Sequence, residues 1–427
     1  MYPFGSKKNK ILLIEPPFYR FFDYERWHYP ITLTLIATHL NKKGYKVKVY
    51  DVDKPTNNCH SLNRIQVRNK YYQYGEALKN KNHYIWEEIK NTILEYKPDI
   101  VGITSVTPKI YSADTVAKIC KEINNKIKII LGGPHIQGMR IMFPNYNFGE
   151  HYDYVIENIP NLVDITPNKK LILNYQEYKP KQFSTILTST GCPNKCTFCC
   201  NSYLTDIVYR NLNSVEEEIS ELVYNHGIDT IHLVDDCIFS YTKRFYELVN
   251  ILYKYDLQFN AASRIMSLTK EKIKNFQDKN GLRVHVGIES GSQRILNLIK
   301  KRLKLEEAIK RTKWLNDYNV NWQVFFMVGF PFETFKEIQM TESTALQIEP
   351  TFISLNRFTP YPGTEIARTY FKNFNFDFKH IYQLTPDSCI KLGDKKEIYI
   401  ENMYNKFNQY NEKSKQNLEY IKNRTSS

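Results

Sequence analysis

The sequence predicts an α/β protein made of two βα halves: an N-terminal doubly wound parallel sheet, then a partial (βα)6 barrel, then a short C-terminal helical tail. Three observations predict it. β-rich runs alternate with helical patterns of about a dozen residues, as parallel strands joined by crossover helices require. A stretch with three prolines and little periodicity, residues 158–182, interrupts the alternation and reads as a linker. After it the alternation resumes for six units, short of the eight of a closed barrel. The expected divisions are therefore 1–157, the linker 158–182, the barrel 183–370 and the tail 371–427.

In the first half, strands are expected at Lys10–Ile14, Lys46–Asp51, Ile100–Ser105 and Lys126–Gly132, with helices at Ile31–Lys43, Tyr84–Tyr96 and Ser112–Asn124. Open parallel sheets bind ligands in the crevice beyond the carboxyl ends of their strands. Here those ends carry Glu15-Pro16-Pro17, Ser105-Val106-Thr107-Pro108 and Gly132-Gly133-Pro134-His135. Glycine there allows close backbone approach and proline stiffens the loops. The same residues also serve plain turn geometry.

In the second half, strands are expected at Phe183–Thr188, Thr230–Val234, Gln258–Ala262, Arg283–Gly287, Gln323–Val328 and Phe352–Arg357. Helical patterns separate them at Val215–His226, Lys243–Tyr255, Lys270–Asp278, Leu305–Tyr318 and Phe335–Leu346. The tail is polar and aromatic, and Lys396–Arg424 has the pattern of an amphipathic packing helix.

A hydrophobic content of 42% with 14% aromatics excludes a disordered chain. The net charge of +14 is spread along the sequence with no Arg-rich block. It reads as a solvated basic surface or a match to an anionic cofactor, and nucleic acid is not the expected partner. No apolar run approaches the ~20 residues that span a bilayer, and no signal-peptide pattern opens the chain, so a cytoplasmic protein is expected. Of the eight cysteines, four lie between positions 192 and 200, a usage that suits a metal in a reducing compartment. Cys59, Cys120 and Cys389 are isolated and expected to be inert; Cys237 reads as a small core residue.

Cys192, Cys196 and Cys199 form a Cys-x-x-x-Cys-x-x-Cys run within Thr190-Gly-Cys-Pro-Asn-Lys-Cys-Thr-Phe-Cys-Cys200. Three thiolates are one fewer than the four that usually hold an iron–sulfur cluster or a structural zinc. A 4Fe–4S cluster held by three cysteines keeps one iron open to a small molecule. Read as barrel strands, the second half gathers its unusual residues at one mouth. The strand ends carry the cysteine loop, Asp235-Asp236, Arg264, Glu289-Ser-Gly-Ser292, Gly329-Phe-Pro-Phe-Glu333 and Thr359-Pro-Tyr-Pro-Gly-Thr364.

This spacing, with Phe198 before the third cysteine, resembles the cluster loop of radical S-adenosylmethionine (SAM) enzymes, and the resemblance runs in motif order from about Phe183 to Thr364. It implies a 4Fe–4S cluster on Cys192, Cys196 and Cys199 whose open iron chelates SAM. Asp235 or Asp236 would face the SAM amino group, Glu289 and Ser290 the ribose, and Val328, Gly329 and Phe198 the adenine, with Arg264 a further candidate. The whole chain resembles the cobalamin-binding branch of that family. Residues 1–157 have the form of its N-terminal domain, including Pro98-Asp-Ile-Val-Gly-Ile-Thr-Ser105 and Ile129-Ile-Leu-Gly-Gly-Pro-His135. Cobalamin is implied between Glu15, Pro16, Pro17, Ser105, Thr107, Pro108, Gly132, Gly133 and Pro134. The Asp-x-His-x-x-Gly motif that supplies a histidine to cobalt is missing, which implies binding without a protein histidine; His135 reads as coincidental.

The resemblance implies reductive cleavage of SAM to a 5′-deoxyadenosyl radical and, with cobalamin, methyl transfer to an unactivated carbon or phosphorus centre of a small molecule or peptide. A low-potential electron donor such as flavodoxin or ferredoxin would supply the electron. Radical cyclisation or rearrangement, RNA modification and a non-catalytic iron–sulfur redox sensor are the alternatives. At the residue level, the cysteines could hold zinc with Cys200 or His232, the aspartate pair could cap a helix, Arg264 could be an ion-pair residue, and Glu333 is expected to bond loop amides.

Overall fold

Apolar residues fill both faces of the strand Lys10–Glu15 (β1), where Ile11, Leu12 and Ile14 are fully buried, as a sheet covered by helices on two sides demands. It pairs in parallel with Lys46–Asp51 (β2) and Ile100–Thr104 (β3). Lys128–Gly132 (β4) and Tyr154–Val155 (β5) complete a five-stranded sheet of order β2-β1-β3-β4-β5. The order reverses between β1 and β3, and that switch point is where such sheets open a ligand crevice. Ile31–Lys42 (α1), Tyr84–Tyr96 (α2), Ile110–Ile123 (α3) and Pro134–Met142 (α4) supply the helices. Two further short helices, Arg64–Lys70 and Tyr72–Lys79, have no clear periodicity in sequence.

This is a computed structural model, and it describes residues 6–54, 56, 59–60, 62, 64–158, 162–203, 207–373, 377–382 and 390–425. Cys389 lies outside the described residues. The chain divides into two compact units, each discontinuous in sequence. The first is Met1–Thr185 with Tyr209–Gly227 and Pro360–Cys389; the second is Ile186–Val208, Ile228–Thr359 and Ile390–Ser427.

Residues 162–182 lie on the first unit. Ile172 bridges Val49, Leu173 N–H donates to the Val49 carbonyl at 2.7 Å, and the Asn174 side chain donates to the Asp51 carbonyl at 2.9 Å. The outer edge of β2 thereby gains partners for its backbone groups. Helix Leu212–His226 (α5) belongs to the same unit: its buried Glu218 accepts from Tyr29 Oη at 3.1 Å and Arg210 Nη1 at 2.7 Å.

The second sheet has six strands: Thr185–Ile186 (β6), Thr230–Leu233 (β7), Gln258–Arg264 (β8), Gly281–Glu289 (β9), Trp322–Val328 (β10) and Phe352–Arg357 (β11). They lie in sequence order across the sheet, and β7 to β11 pair in parallel. The partial barrel of six strands expected from the sequence is present. The expected strand Phe183–Thr188 shortens to β6 because Pro180 opens a 3-10 turn over Pro180–Phe183, closed by Gln182 Oε1 on the Lys179 N–H at 2.8 Å.

The tail forms helix Asp394–Thr425 (α6). It buries Ile400, Met403 and Phe407, and the Asn411 amide both donates to and accepts from the Ile353 backbone, at 2.9 and 2.8 Å. The tail thus covers the outer edge of β11.

Candidate active site

The first cysteine of the loop, Cys192, lies six residues beyond the end of β6. Cys196 is buried, Cys192 and Cys199 are partly exposed, and the Cys199 N–H donates to the Cys196 carbonyl at 3.1 Å. Burial, with smaller contributions from Cys196, Asp236 and Cys192 nearby, pushes the Cys199 thiol up to about 11. Crowded thiols of this kind ionise when a metal takes the charge. Among the described residues, no group of three or more His, Cys, Asp or Glu side chains is arranged to hold a single metal ion. A cubane takes one cysteine on each of three irons, and this one loop supplies three cysteines at Cys-x-x-x-Cys-x-x-Cys spacing. The donor set fits the cluster.

Beyond β7, the two aspartates part company. Asp235 is 1% exposed and accepts from the Thr188 N–H at 3.0 Å, the Thr188 hydroxyl at 2.8 Å and the Ser189 hydroxyl. Burial raises its pKa, and those donors oppose the rise. Asp236 points outward, accepts from Asn201 Nδ2 at 2.6 Å and is likewise raised, by burial first and then by Asp235. Asp235 ties β7 to the end of β6, whereas the exposed Asp236 meets the Asn201 side chain and the loop backbone at Gly191.

Arg264 at the end of β8 has its guanidinium committed to protein atoms: Nη1 lies 3.6 Å from Cys196 Sγ, and Nη2 donates to the carbonyl of Lys301. At the end of β9, Glu289 adopts a left-handed φ of 77° and pairs with the buried Lys301 at 2.7 Å. Ser290, fully buried, meets Thr341 Oγ1 at 3.3 Å and accepts from the Ser292 N–H at 3.1 Å. Beyond β10, Gly329 takes φ 89°, and Glu333 accepts from the Gly329 and Phe330 amides at 2.5 and 3.3 Å, the structural role expected of it. Burial lifts Glu333 to about 7, and those two amides oppose the rise. Val328 is buried, and Phe198 meets the edge of Phe330 at a centroid distance of 6.3 Å. The structure therefore gives Asp235, Arg264, Glu289 and Ser290 protein partners of their own.

Lys301 and Asn194 were missed in the sequence. Lys301 sits in the run Lys300-Lys301-Arg302, which reads as solvated surface, yet it is 6% exposed. The Asn194 amide lies 3.4 Å from Cys192 Sγ. Its place two residues after a cluster cysteine was the one available signal.

In the first unit, Glu15 at the end of β1 is not a free rim carboxylate. Lys109 donates to it at 2.5 Å and to Asp53 at 2.8 Å, while Arg26 pairs with Asp51 at 2.6 Å. Asp53 also accepts from the Phe18 and Arg20 amides at 2.9 and 3.1 Å. Burial raises Asp51 to about 6 against the pull of Arg26; for Asp53, Lys109 and Arg26 overcome burial and hold it low. Pro16 and Pro17 are buried, and Pro108 accepts from the Tyr74 hydroxyl at 2.7 Å. Gly133 has φ 111°, and a Cβ there would lie 2.6 Å from the Ser105 carbonyl oxygen, so the turn is drawn against β3 and Pro134 opens α4. His135 is buried against Phe378, its Nδ1 3.3 Å from Thr107 Oγ1, and burial lowers it to about 3. The carboxyl ends of these strands thus carry buried ion pairs on β1 and β2 and close backbone packing between β3 and β4.

A model of the radical SAM superfamily matches residues 186–345, and one of the B12 binding domain matches residues 24–157. The chain is 29% identical over 331 residues to an uncharacterised methyltransferase of Pyrococcus horikoshii, covering 66% of this chain and 71% of that protein. It is 25% identical over 353 residues to an anaerobic magnesium-protoporphyrin IX monomethyl ester cyclase of Rubrivivax gelatinosus, covering 70% of this chain and 63% of that one. Among solved structures it is similar to TsrM, a radical SAM methyltransferase from Kitasatospora setae with cobalamin and a 4Fe–4S cluster bound. The TM-score is 0.60 at 14% identity, over 84% of this chain and 77% of that chain, a likeness of fold. With the two domain models matched in this order, the chain belongs to the radical SAM enzymes that carry an N-terminal B12-binding domain.

Proposed function

We propose that this protein is a cobalamin-dependent radical SAM methyltransferase acting on an unactivated carbon or phosphorus centre. The observation that carries the reading is the three-cysteine loop after the first barrel strand, in a chain whose first sheet reverses its strand order between β1 and β3. When bound, the cluster, SAM and cobalamin supply the low-potential electron, the 5′-deoxyadenosyl radical and the methyl carrier.

The chain's own residues would bind and orient. Cys192, Cys196 and Cys199 would hold the cluster, with one iron unligated by cysteine for SAM. Asp236 accepts from the SAM ammonium, a charge-assisted bond that orients the amino acid end. Asp235 fixes the loop from which Asp236 projects. Glu289, Ser290, Val328, Gly329 and Phe198 line the nucleoside side, and the loops at Glu15–Pro17, Ser105–Pro108 and Gly132–Pro134 hold the corrin. A flavodoxin or ferredoxin delivers the electron, and the substrate is a small molecule or peptide. The likeness to the cyclase supports a second reading, radical ring closure.

One experiment separates these readings. The protein is reconstituted anaerobically with iron, sulfide and hydroxocobalamin, then reduced in the presence of SAM. Methyl transfer predicts roughly four irons and about one cobalamin per chain, with both S-adenosylhomocysteine and 5′-deoxyadenosine formed. 5′-Deoxyadenosine without S-adenosylhomocysteine would favour ring closure. SAM binding with neither product would make the protein a sensor.

A further inference from the structure

We propose that Arg264 is a positioning residue for the iron–sulfur cluster, its guanidinium holding the Cys196 sulfur and making the cluster easier to reduce. The inference rests on the cluster assignment above and goes beyond it. Motif order makes Arg264 a candidate for SAM or for an ion pair; its contacts here are a cysteine sulfur and two backbone carbonyls. One end of the guanidinium lies against Cys196 Sγ at 3.6 Å, and the other donates to the Lys301 carbonyl, with the Arg302 carbonyl at 3.5 Å. A second tie runs beside it, from the Thr197 N–H to the Ile299 carbonyl at 3.0 Å. The cysteine loop is thus fastened to the Ile299–Arg302 turn at two points, and Arg264 is the only one of the two that reaches a sulfur.

The turn itself is held in an unusual conformation. Lys300 and Arg302 have φ of 51° and 50°, and Glu289, which anchors Lys301 through a buried ion pair, has φ of 77°. Non-glycine residues in left-handed backbone are strained and persist where surrounding structure over-determines them. Here the strained positions flank the carbonyl that holds Arg264. The carbonyl that takes the guanidinium therefore belongs to a turn held in place by its surroundings.

Reduction adds one negative charge to a cluster already carrying thiolates. A cation in hydrogen-bond contact with a ligand sulfur favours the reduced form, since hydrogen bonds to sulfur and local charge set cluster potentials. Arginine keeps its charge at any accessible pH, and its rigid planar fork presents separate N–H groups to a sulfur and a carbonyl, a geometry that the point-like lysine ammonium does not fix. Asn194, 3.4 Å from Cys192 Sγ, is a neutral donor and should act in the same direction more weakly.

The test is a redox titration of the full-length, anaerobically reconstituted protein, following the reduced cluster by electron paramagnetic resonance. At a fixed poise, Arg264→Gln should show about a tenfold lower ratio of reduced to oxidised cluster, a shift of about 59 mV to lower potential for one electron. Arg264→Lys and Asn194→Ala should shift less, with iron content kept. A wild-type midpoint in Arg264→Gln overturns the inference. Should that variant load no iron, Arg264→Lys decides by the same criterion. Loss of iron from both, with circular dichroism unchanged, also overturns it and leaves Arg264 a structural tie. Failure of the wild type to take up any cluster would instead remove the functional reading itself.

Discussion

At Asp235 and Asp236, adjacent carboxylates do different work because only one is fully used by the fold. Asp235→Asn should destabilise the protein by about 1–3 kcal/mol, since it disturbs a buried acceptor with three donors; thermal melts of the cluster-free protein check this. Asp236→Ala should leave the melt and the cluster spectrum unchanged and weaken SAM binding about tenfold by calorimetry. Wild-type affinity there would remove Asp236 from the site. The cysteines divide similarly: Ala at Cys192, Cys196 or Cys199 should abolish the 4Fe–4S spectrum, and Cys200→Ala should leave it largely intact. Glu333 gives a pH signature. Its pKa is raised in the fold, so the folded state holds more protons than the unfolded state between pH 4.5 and about 7, and its contribution to stability falls as pH rises through that window. Glu333→Gln, which stays neutral, should therefore gain on wild type in melting temperature between pH 5 and pH 8. An unchanged difference at the two pH values would show that the loop amides fully compensate its burial.

At the scale of elements, the strands and longer helices were legible because their apolar spacing repeats locally. The misreadings lie where the local signal is weak. The strand expected from Phe183 gives way to a proline-led turn, and the two short helices after residue 63 lack a full amphipathic period. Edges were also invisible in sequence, because pairing is a long-range property. Asn411 closes the β11 edge from 58 residues away. Asn411→Ala should cost about 1–2 kcal/mol, as two backbone groups lose their partner, and removal of residues 394–427 should expose that edge and promote aggregation, measured by light scattering. Gly133→Ala should also destabilise the first unit, since the residue combines φ 111° with a 2.6 Å approach to Ser105.

For the molecule as a whole, the first unit should retain about one cobalamin per chain, with a base-off spectrum. His28, whose Nδ1 lies 3.0 Å from the Tyr29 carbonyl, and His135 are the histidines to test. Alanine at either should leave that spectrum unchanged, and a changed axial signature in one would identify a protein ligand to cobalt. The sequence by itself determined the class of chemistry, because cluster-binding cysteines must be close in the chain to form one loop, and it determined the alternation of strands and helices for the same local reason. Tertiary structure decided which protein groups each polar residue also meets. Arg264, Glu289 and Ser290 carry the right chemistry for SAM in the right motif order. Their partners, the Cys196 sulfur, Lys301 and Thr341, come from other elements of the barrel, and hydrogen bonding and ion pairing depend on distance in space. Glu15 likewise ends the right strand, but the burial of Lys109 and Arg26 beside it makes it a counter-ion, because buried cations require one.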